Sequence, residues 1–224
     1  MPIKIPQNEQ EWLQLRLSGI GGSEAAAVIG QSPWLSNVEL WKRKTGRSTA
    51  PDISCNEAVA YGHAAEAPIR ELFALDYPQF EVSYGGAFDM VYHPQHKFIF
   101  ATLDGRLIER ETGRKGILEV KTTSILRSIQ KEKWWNDGKP CVPQQYYIQC
   151  LHQLLSSGFD FAVLHAQLKY EYGEGIEGIR SERRTYLIER AEVVDDLEYL
   201  LNEEIRFWGF VERDEMPPQI LPDI

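Results

Sequence analysis

The chain has 224 residues, 43% apolar and 25% charged, enough to bury a core and too apolar for a disordered segment. No apolar run approaches a membrane span, and the start, MPIKIPQNEQEW, lacks the apolar stretch of a signal peptide. Three cysteines at unrelated spacings, Cys55, Cys141 and Cys150, argue against a disulfide framework or a zinc knuckle, so a reducing cytoplasm is expected. The net charge of −9 would weigh against a nucleic-acid partner, but it is unevenly spread. Residues 171–224 hold 15 Asp/Glu and 6 Lys/Arg, whereas residues 1–170 hold 18 of each. An acidic C-terminal face beside a balanced body leaves room for a basic groove, because the local field matters more than the total.

In chain order, NEQEWLQLRLS reads as a helix with Trp12, Leu13 and Leu17 apolar. GIGGSEAAAVIG (residues 19–30) then turns from loop to helix, with Ser23 expected as N-cap. Such turns hold phosphates. This one is no nucleotide loop: no strand precedes it, and it lacks both G-x-G-x-x-G and a Walker lysine. SPW breaks the helix, and SNVELWKRKTG starts another at Ser36 that ends on Gly46. SCNEAVAYGHAAEAPIRELFALDY is a longer helix with a kink expected at Pro68. The period then changes to two. FEVSYGGAFDMVYH, HKFIFATLDGRLIER and GILEVKTT read as three strands, the last two joined by the turn RETGRKG. PQQYYIQCLHQLLSSG is a helix opened by Pro143 and closed by Gly158. FDFAVLHAQLKY and RRTYLIER are two further strands. A helix over about 191–213 closes the chain, with Val194, Leu197, Leu201, Ile205 and Trp208 on its apolar side. The order predicts one α/β (α+β) domain, a central mixed sheet flanked by helices with its core at about residues 12–190.

Alternation along FIFATLDG puts Phe98, Phe100, Thr102 and Asp104 on one face, with Asp104 at the strand's end. In ILEVK, Glu119 and Lys121 share a face opposite Leu118 and Val120. Paired as a hairpin, the two strands bring Asp104, Glu119 and Lys121 to one spot. Two carboxylates and a main-chain carbonyl, that of Val120, suit Mg²⁺, which takes hard oxygen ligands and keeps several waters. A metal there activates water and offsets phosphate charge, and a lysine stabilises the transition state. E-V-K alone reads better as a surface pair; Asp104 on the neighbouring strand reverses that reading.

Two helices bear on the same spot. Val59, Gly62, Glu66, Ile69 and Phe73 form one stripe, which sets Glu66 among apolar residues. A buried carboxylate needs a partner: either an arginine, or a metal site to which Glu66 adds a third acidic group. Tyr146, Gln149 and Gln153 share one face of the later helix, opposite Tyr147, Leu151, Leu154 and Leu155. That polar face either positions water and phosphate oxygens or simply meets solvent.

RLSGIGGSEAAAVIG with SPW, YGHAAEAPI, LDGRL, LEVKTT and YYIQCLHQL occur in an order that resembles the phage lambda exonuclease and YqaJ-type viral recombinase nucleases of the PD-(D/E)xK superfamily. The resemblance runs from about Trp12 to Gly158. It implies a restriction-endonuclease-like core and a 5′→3′ exonuclease on linear double-stranded DNA. It also implies Mg²⁺ (with Mn²⁺ as an alternative), a homotrimeric ring threaded by DNA, and 3′ overhangs passed to a single-strand annealing protein. The setting implied is a bacterial host cell carrying a phage or prophage. By motif, Asp104, Glu119 and the Val120 carbonyl would be metal ligands, Lys121 the catalytic lysine and Glu66 an auxiliary acid. Tyr146 and Gln149 would line the site, and Arg16 and Ser23 would hold the 5′-phosphate. Leu103 stands where the superfamily's name has proline. Trp34, Trp134 and Trp135 are stacking candidates that read better as packing residues. Arg43, Lys44, Lys131, Lys133 and Lys139 are candidates for DNA-backbone contacts. An endonuclease of the same superfamily and a non-catalytic DNA-end-binding scaffold are the competing functions; an iron–sulfur nuclease needs four cysteines.

Overall fold

A computed structural model describes residues 6–53, 55–125, 133–136, 139–171 and 179–221. Four helices come first: α1 (Glu9–Leu17), α2 (Gly22–Val28), α3 (Asn37–Lys44) and α4 (Glu57–Asp76). Strands β1 (Phe80–Ser83), β2 (Met90–Tyr92), β3 (Phe100–Thr102), β4 (Gly105–Glu109), β5 (Lys115–Ile125), β6 (Trp135–Asn136) and β7 (Lys139–Pro140) follow. Then come α5 (Gln144–Ser157), β8 (Phe161–Glu171), β9 (Ile179–Glu189) and α6 (Val194–Glu212). The expected class holds: a five-stranded mixed sheet in the order β1-β4-β5-β8-β9, with helices against it.

Within the five-stranded sheet β5 and β8 pair in parallel, from Gly116 opposite Phe161 to Ile125 opposite Tyr170. A parallel pair needs a crossover, and α5 lies within it. The sheet's pleat sorts its two faces. Leu118, Val120, Phe161 and Val163 meet Ile69 and Phe73 of α4, as the predicted α4 stripe requires. Ile117, Ala162, Leu164, Ala166 and Leu168 meet Leu151, Leu154 and Leu155 of α5 and Leu197 and Leu200 of α6. Glu119 and Lys121 therefore lie on the α5 side. A third cluster joins Ala27 and Val28 of α2, Leu40 and Trp41 of α3, and Phe207 of α6.

The ends of several elements follow their sequence signals. Ser36 caps α3 by accepting the Glu39 N–H at 3.1 Å. Gly158 closes α5 at φ 69°, a left-handed geometry that glycine adopts without strain. α4 runs through Pro68 to Asp76 without interruption. Four expectations need correction. The strand predicted over residues 80–93 is two strands, separated by Gly85 and Gly86; Gly86 has φ 104°. The strand predicted over residues 96–110 breaks at Leu103 and Asp104, and its first part pairs with β2 in a separate ladder. The N-cap of α2 is Gly21, not Ser23, because Glu24 reaches back to the Gly21 N–H at 2.9 Å. The inner stripe of α6 is Leu197, Leu200, Glu204 and Phe207, while Val194 is exposed. An apolar count misplaces that face because a carboxylate, Glu204, occupies it.

His165 of β8 is buried on the α4 side, 5.2 Å from the Phe73 ring centroid. Its Nδ1 lies 2.8 Å from Thr185 Oγ1, and its Nε2 has no hydrogen-bond partner among the described residues. Burial, with the Arg183 charge adding to it, pulls its pKa down from 6.5 to about 4. The unfolded chain therefore takes up this proton before the folded one does. The stability that His165 contributes is complete above pH 6.5 and drains away as the pH falls towards 4. Melting curves at pH 7.5 and pH 5 check this: the wild type loses more melting temperature between the two than His165→Leu does. Equal losses would refute it.

Candidate active site

β4 pairs with β5 from Ile108–Lys115 to Gly105–Leu118 and then peels away. The next residue, Asp104, stands opposite Glu119 in that register. Its side chain replaces the lost ladder bond: Oδ2 accepts the Val120 N–H at 2.9 Å. The Asp104 carbonyl accepts from Arg70 Nη1 of α4 at 2.7 Å, and Arg70 stacks on Tyr84 with 4.0 Å to the ring centroid. The break in the strand thus points a carboxylate across the end of the hairpin and pins it from two sides.

Glu119 is 1% exposed. Its Oε1 accepts from Lys121 Nζ and from Gln149 Nε2, each at 2.5 Å, and its Oε2 accepts from Gln153 Nε2 at 2.5 Å. The four-residue spacing of the two glutamines puts both amides on one face of α5. That face is directed at the sheet, not at solvent. The Lys121 ammonium also lies 5.2 Å from the Tyr146 ring centroid. Burial works against its charge, but Glu119 and Asp104 outweigh burial and hold Lys121 protonated well above the ordinary lysine range. Burial raises the pKa of Asp104 well above the usual carboxylate range, and Glu119 adds to that against the pull of Lys121. Burial raises Glu66 too; Glu119 reinforces the shift, while His63 and Lys121 oppose it. The neighbour of Glu66 is no arginine but His63, whose Nδ1 lies 3.4 Å from Oε1.

The structure brings together Asp104, Glu119, Lys121, Tyr146 and Gln149, with Glu66 close enough to interact with Asp104, Glu119 and Lys121. Among the described residues, no three His, Cys, Asp or Glu side chains close into a metal cage. Two carboxylates side by side with a third acid at longer range would suit a hard cation that keeps much of its water. The raised proton affinities of Asp104 and Glu66 fit a divalent ion that would relieve the crowding. The additional residue is Gln153. Its place on the polar face of α5 was legible in the sequence, but its grip on Glu119 was not.

Arg16 and Ser23, seven residues apart in the chain, also meet: Arg16 Nη2 donates to Ser23 Oγ at 3.4 Å. Arg16 lies over the Trp12 ring at 4.8 Å, and Trp12 Nε1 donates to Thr102 Oγ1 at 3.3 Å, two residues before Asp104. A Cβ placed on Gly22 would come within 3.4 Å of Gln149 Cγ. The Arg16–Ser23 pair therefore adjoins the carboxylate site. α2 has only seven residues, so its dipole is small, and the donors at its start are these side chains.

The candidate DNA contacts divide. Lys44 is corrected: its side chain is 2% exposed, held by Glu24 at 2.7 Å and by the Arg16 carbonyl at 2.7 Å. It supports Arg16 and cannot reach a DNA strand. Arg43 leans on Glu39 at 4.0 Å. Lys133 and Lys139 are exposed, and Lys131 lies outside the described residues. Trp134 is core, Trp135 lies under Arg184 at 3.7 Å, and Trp34 is 72% exposed.

Because folding raises the Asp104 pKa, stability linked to this group is greatest below its ordinary pKa and falls as the pH rises through the raised value. Asp104→Asn keeps an acceptor for the Val120 N–H and removes the charge. In EDTA at pH 8 it melts about 2–4 °C above wild type, on the order of 1 kcal/mol, and the gap closes towards pH 4. A lower melting temperature at pH 8 would show instead that the carboxylate stabilises the fold.

Similar folds occur in solved structures. LHK-Exo, an alkaline exonuclease from Laribacter hongkongensis, superposes at TM-score 0.59 with 19% identity, covering 92% of this chain and 93% of that one. LHK-Exo in complex with dAMP gives TM-score 0.63 and 20% identity at the same coverage. A phage-related exonuclease from Haemophilus somnus 129PT gives 0.55 and 14%, covering 88% of this chain and 96% of that one. By sequence, the chain is 30% identical over 211 residues to the uncharacterized protein YqaJ of Bacillus subtilis (strain 168). That match covers 90% of this chain and spans 56% of the relative's length. Residues 11–160 match the description "YqaJ-like viral recombinase domain", and the chain belongs to that family.

Proposed function

We propose that the chain is a metal-dependent 5′→3′ exonuclease that degrades one strand of linear double-stranded DNA and leaves 3′ overhangs for recombination by strand annealing. One observation carries the reading. Asp104 and Glu119 crowd together where β4 leaves β5, with Lys121 on Glu119 and the Arg16–Ser23 pair alongside. The solved structures of similar fold are named as exonucleases, one of them holding a nucleoside monophosphate, and this supports the substrate class. A homotrimeric ring, a single-strand annealing partner and a phage or prophage setting belong to the same proposal and rest on the resemblance of the motifs.

Asp104, Glu119 and the Val120 carbonyl would hold Mg²⁺ or Mn²⁺, with Glu66 acting on it indirectly. A divalent ion there supplies an activated water and neutralises charge on the scissile phosphate. The chain's own residues do the rest. Lys121, kept protonated, donates to a phosphate oxygen or orients a water. Gln149 and Gln153 fix the Glu119 carboxylate, and Tyr146 walls the lysine. Arg16 and Ser23 offer a charge-assisted donor and a hydroxyl to a terminal phosphate, which places the strand end beside the carboxylates. An end-holding pocket next to the cutting site is what favours an exonuclease over an endonuclease.

The test pairs a linear duplex bearing 5′-phosphates with a covalently closed circle in Mg²⁺. Wild type removes one strand of the linear DNA and spares the circle, and EDTA stops it. Lys121→Ala lowers the rate about 100-fold or more. Arg16→Ala erodes the preference for a 5′-phosphate over a 5′-hydroxyl end. Cutting of the circle would move the reading to an endonuclease. No cutting of either DNA by folded protein would leave an end-binding scaffold.

A further inference from the structure

One side chain of α5 that reaches no reacting group ties the two halves of the site together. His152 sits between Gln149 and Gln153 in the sequence and is fully buried, as is Glu204 of α6. His152 Nδ1 lies 2.6 Å from Glu204 Oε1, and Nε2 lies 2.8 Å from the Phe100 carbonyl oxygen. A carbonyl can only accept, so Nε2 carries a hydrogen. Glu204 Oε2 has no hydrogen-bond partner among the described residues. Holding two helices together does not require an ionic pair; an apolar pair of similar volume serves as well or better. What the pair adds is direction.

The ring reaches each part of the site. Phe100 lies on β3, which leads to Asp104. The same strand is stitched to the loop that leads to Ser23: Ile20 N–H donates to the Phe98 carbonyl at 2.6 Å, and Phe100 N–H donates to the Ile20 carbonyl at 3.1 Å. Gly22 is seated on α5 itself. A Cβ there would meet Gln149 Cγ at 3.4 Å, Gln153 Cγ at 3.6 Å and His152 Cδ2 at 3.7 Å. Strand, loop, α5 and α6 are thus registered against one imidazole.

We propose that His152, buttressed by Glu204, is a positioning residue that sets the spacing between the Arg16–Ser23 phosphate pocket and the Asp104–Glu119 carboxylates. The proposal rests on the nuclease reading for what those two sites hold. It assigns a role to a buried polar pair on the face of α5 that meets α2 and β3. That role is exerted through the Phe100 carbonyl and the Gly22 seat, not through contact with DNA.

The test is equilibrium binding of the full chain in EDTA to a short fluorescent duplex bearing a 5′-phosphate or a 5′-hydroxyl, with melting curves for each protein. H152L/E204L is an apolar pair that cannot donate to Phe100. H152Q/E204Q is neutral but keeps a donor at the Nε2 position. Wild type should bind the phosphorylated end about tenfold more tightly. The leucine pair should melt close to wild type yet keep only about a twofold preference, and the glutamine pair should retain most of the tenfold. If the leucine pair does not melt cooperatively, H152N/E204Q takes its place, because the shorter amide still reaches residue 204 but not Phe100. A bond-breaking variant that keeps the full preference would overturn the proposal, as would a wild type with no preference. Selective binding by a wild type that cuts neither DNA in Mg²⁺ supports the positioning role and removes only the nuclease reading.

Discussion

A carboxylate almost sealed from water on the central strand governs the arrangement of this site. A carboxylate buried there needs donors, since an unpaired buried polar group costs more than packing returns. Three donors answer it, one from its own strand and two from α5. Their demand orients α5: with Gln149 and Gln153 turned to the sheet, Leu151, Leu154 and Leu155 fall into the core cluster shared with β8 and α6. The crossover that makes β5 and β8 parallel neighbours is thus the same element that supplies hydrogen bonds to both oxygens of Glu119. Fold and site share one helix, and the helix has no freedom to serve one without the other.

The second constraint is the missing strand residue. A sheet that continued past Gly105 would use the Val120 N–H in its ladder and leave Asp104 as an ordinary strand residue. Instead β4 ends, and the Asp104 carboxylate takes the N–H. Asp104 then lies beside Glu119 with little access to water, and the cost of charging Asp104 there is offset by Lys121 only in part. Sites that bind cations are commonly under this kind of tension, because the ion to be bound is what relaxes it.

What could be read from the sequence was what depends on period. Alternation placed Glu119 and Lys121 opposite Leu118 and Val120, and helical spacing placed Glu66 in line with Ile69 and Phe73; both arrangements are found. What could not be read depends on one residue answering another from far along the chain. Nothing local marks the break at Leu103, because the bond that compensates it comes from Val120. Apolar residues alone put the inner stripe of α6 through Val194 and Ile205, but a buried Glu204 matched to His152 rotates it. Lys44 looked like one more basic residue in a basic turn, until Glu24 took it out of solvent. Burial of charge follows from pairing, and pairing across 20 or 50 residues has no period.

The Lys44–Glu24 pair also bears on how the proposed DNA end would meet an acidic chain. Glu24 sits 3.8 Å from Arg16 and accepts two bonds from Lys44, so the nearest carboxylate to the proposed phosphate pocket is already committed to a buried lysine. Lys44 in turn holds the backbone carbonyl of Arg16. One cation is spent inside the protein so that another stands in place with its guanidinium over Trp12 and its charge only partly countered. The acidic excess lies in the segment from Glu171 onward, where one of its carboxylates is buried against His152. Net charge therefore says little about this pocket. The field there is set by which ions are internally paired, and Arg16 is the cation left pointing at Ser23.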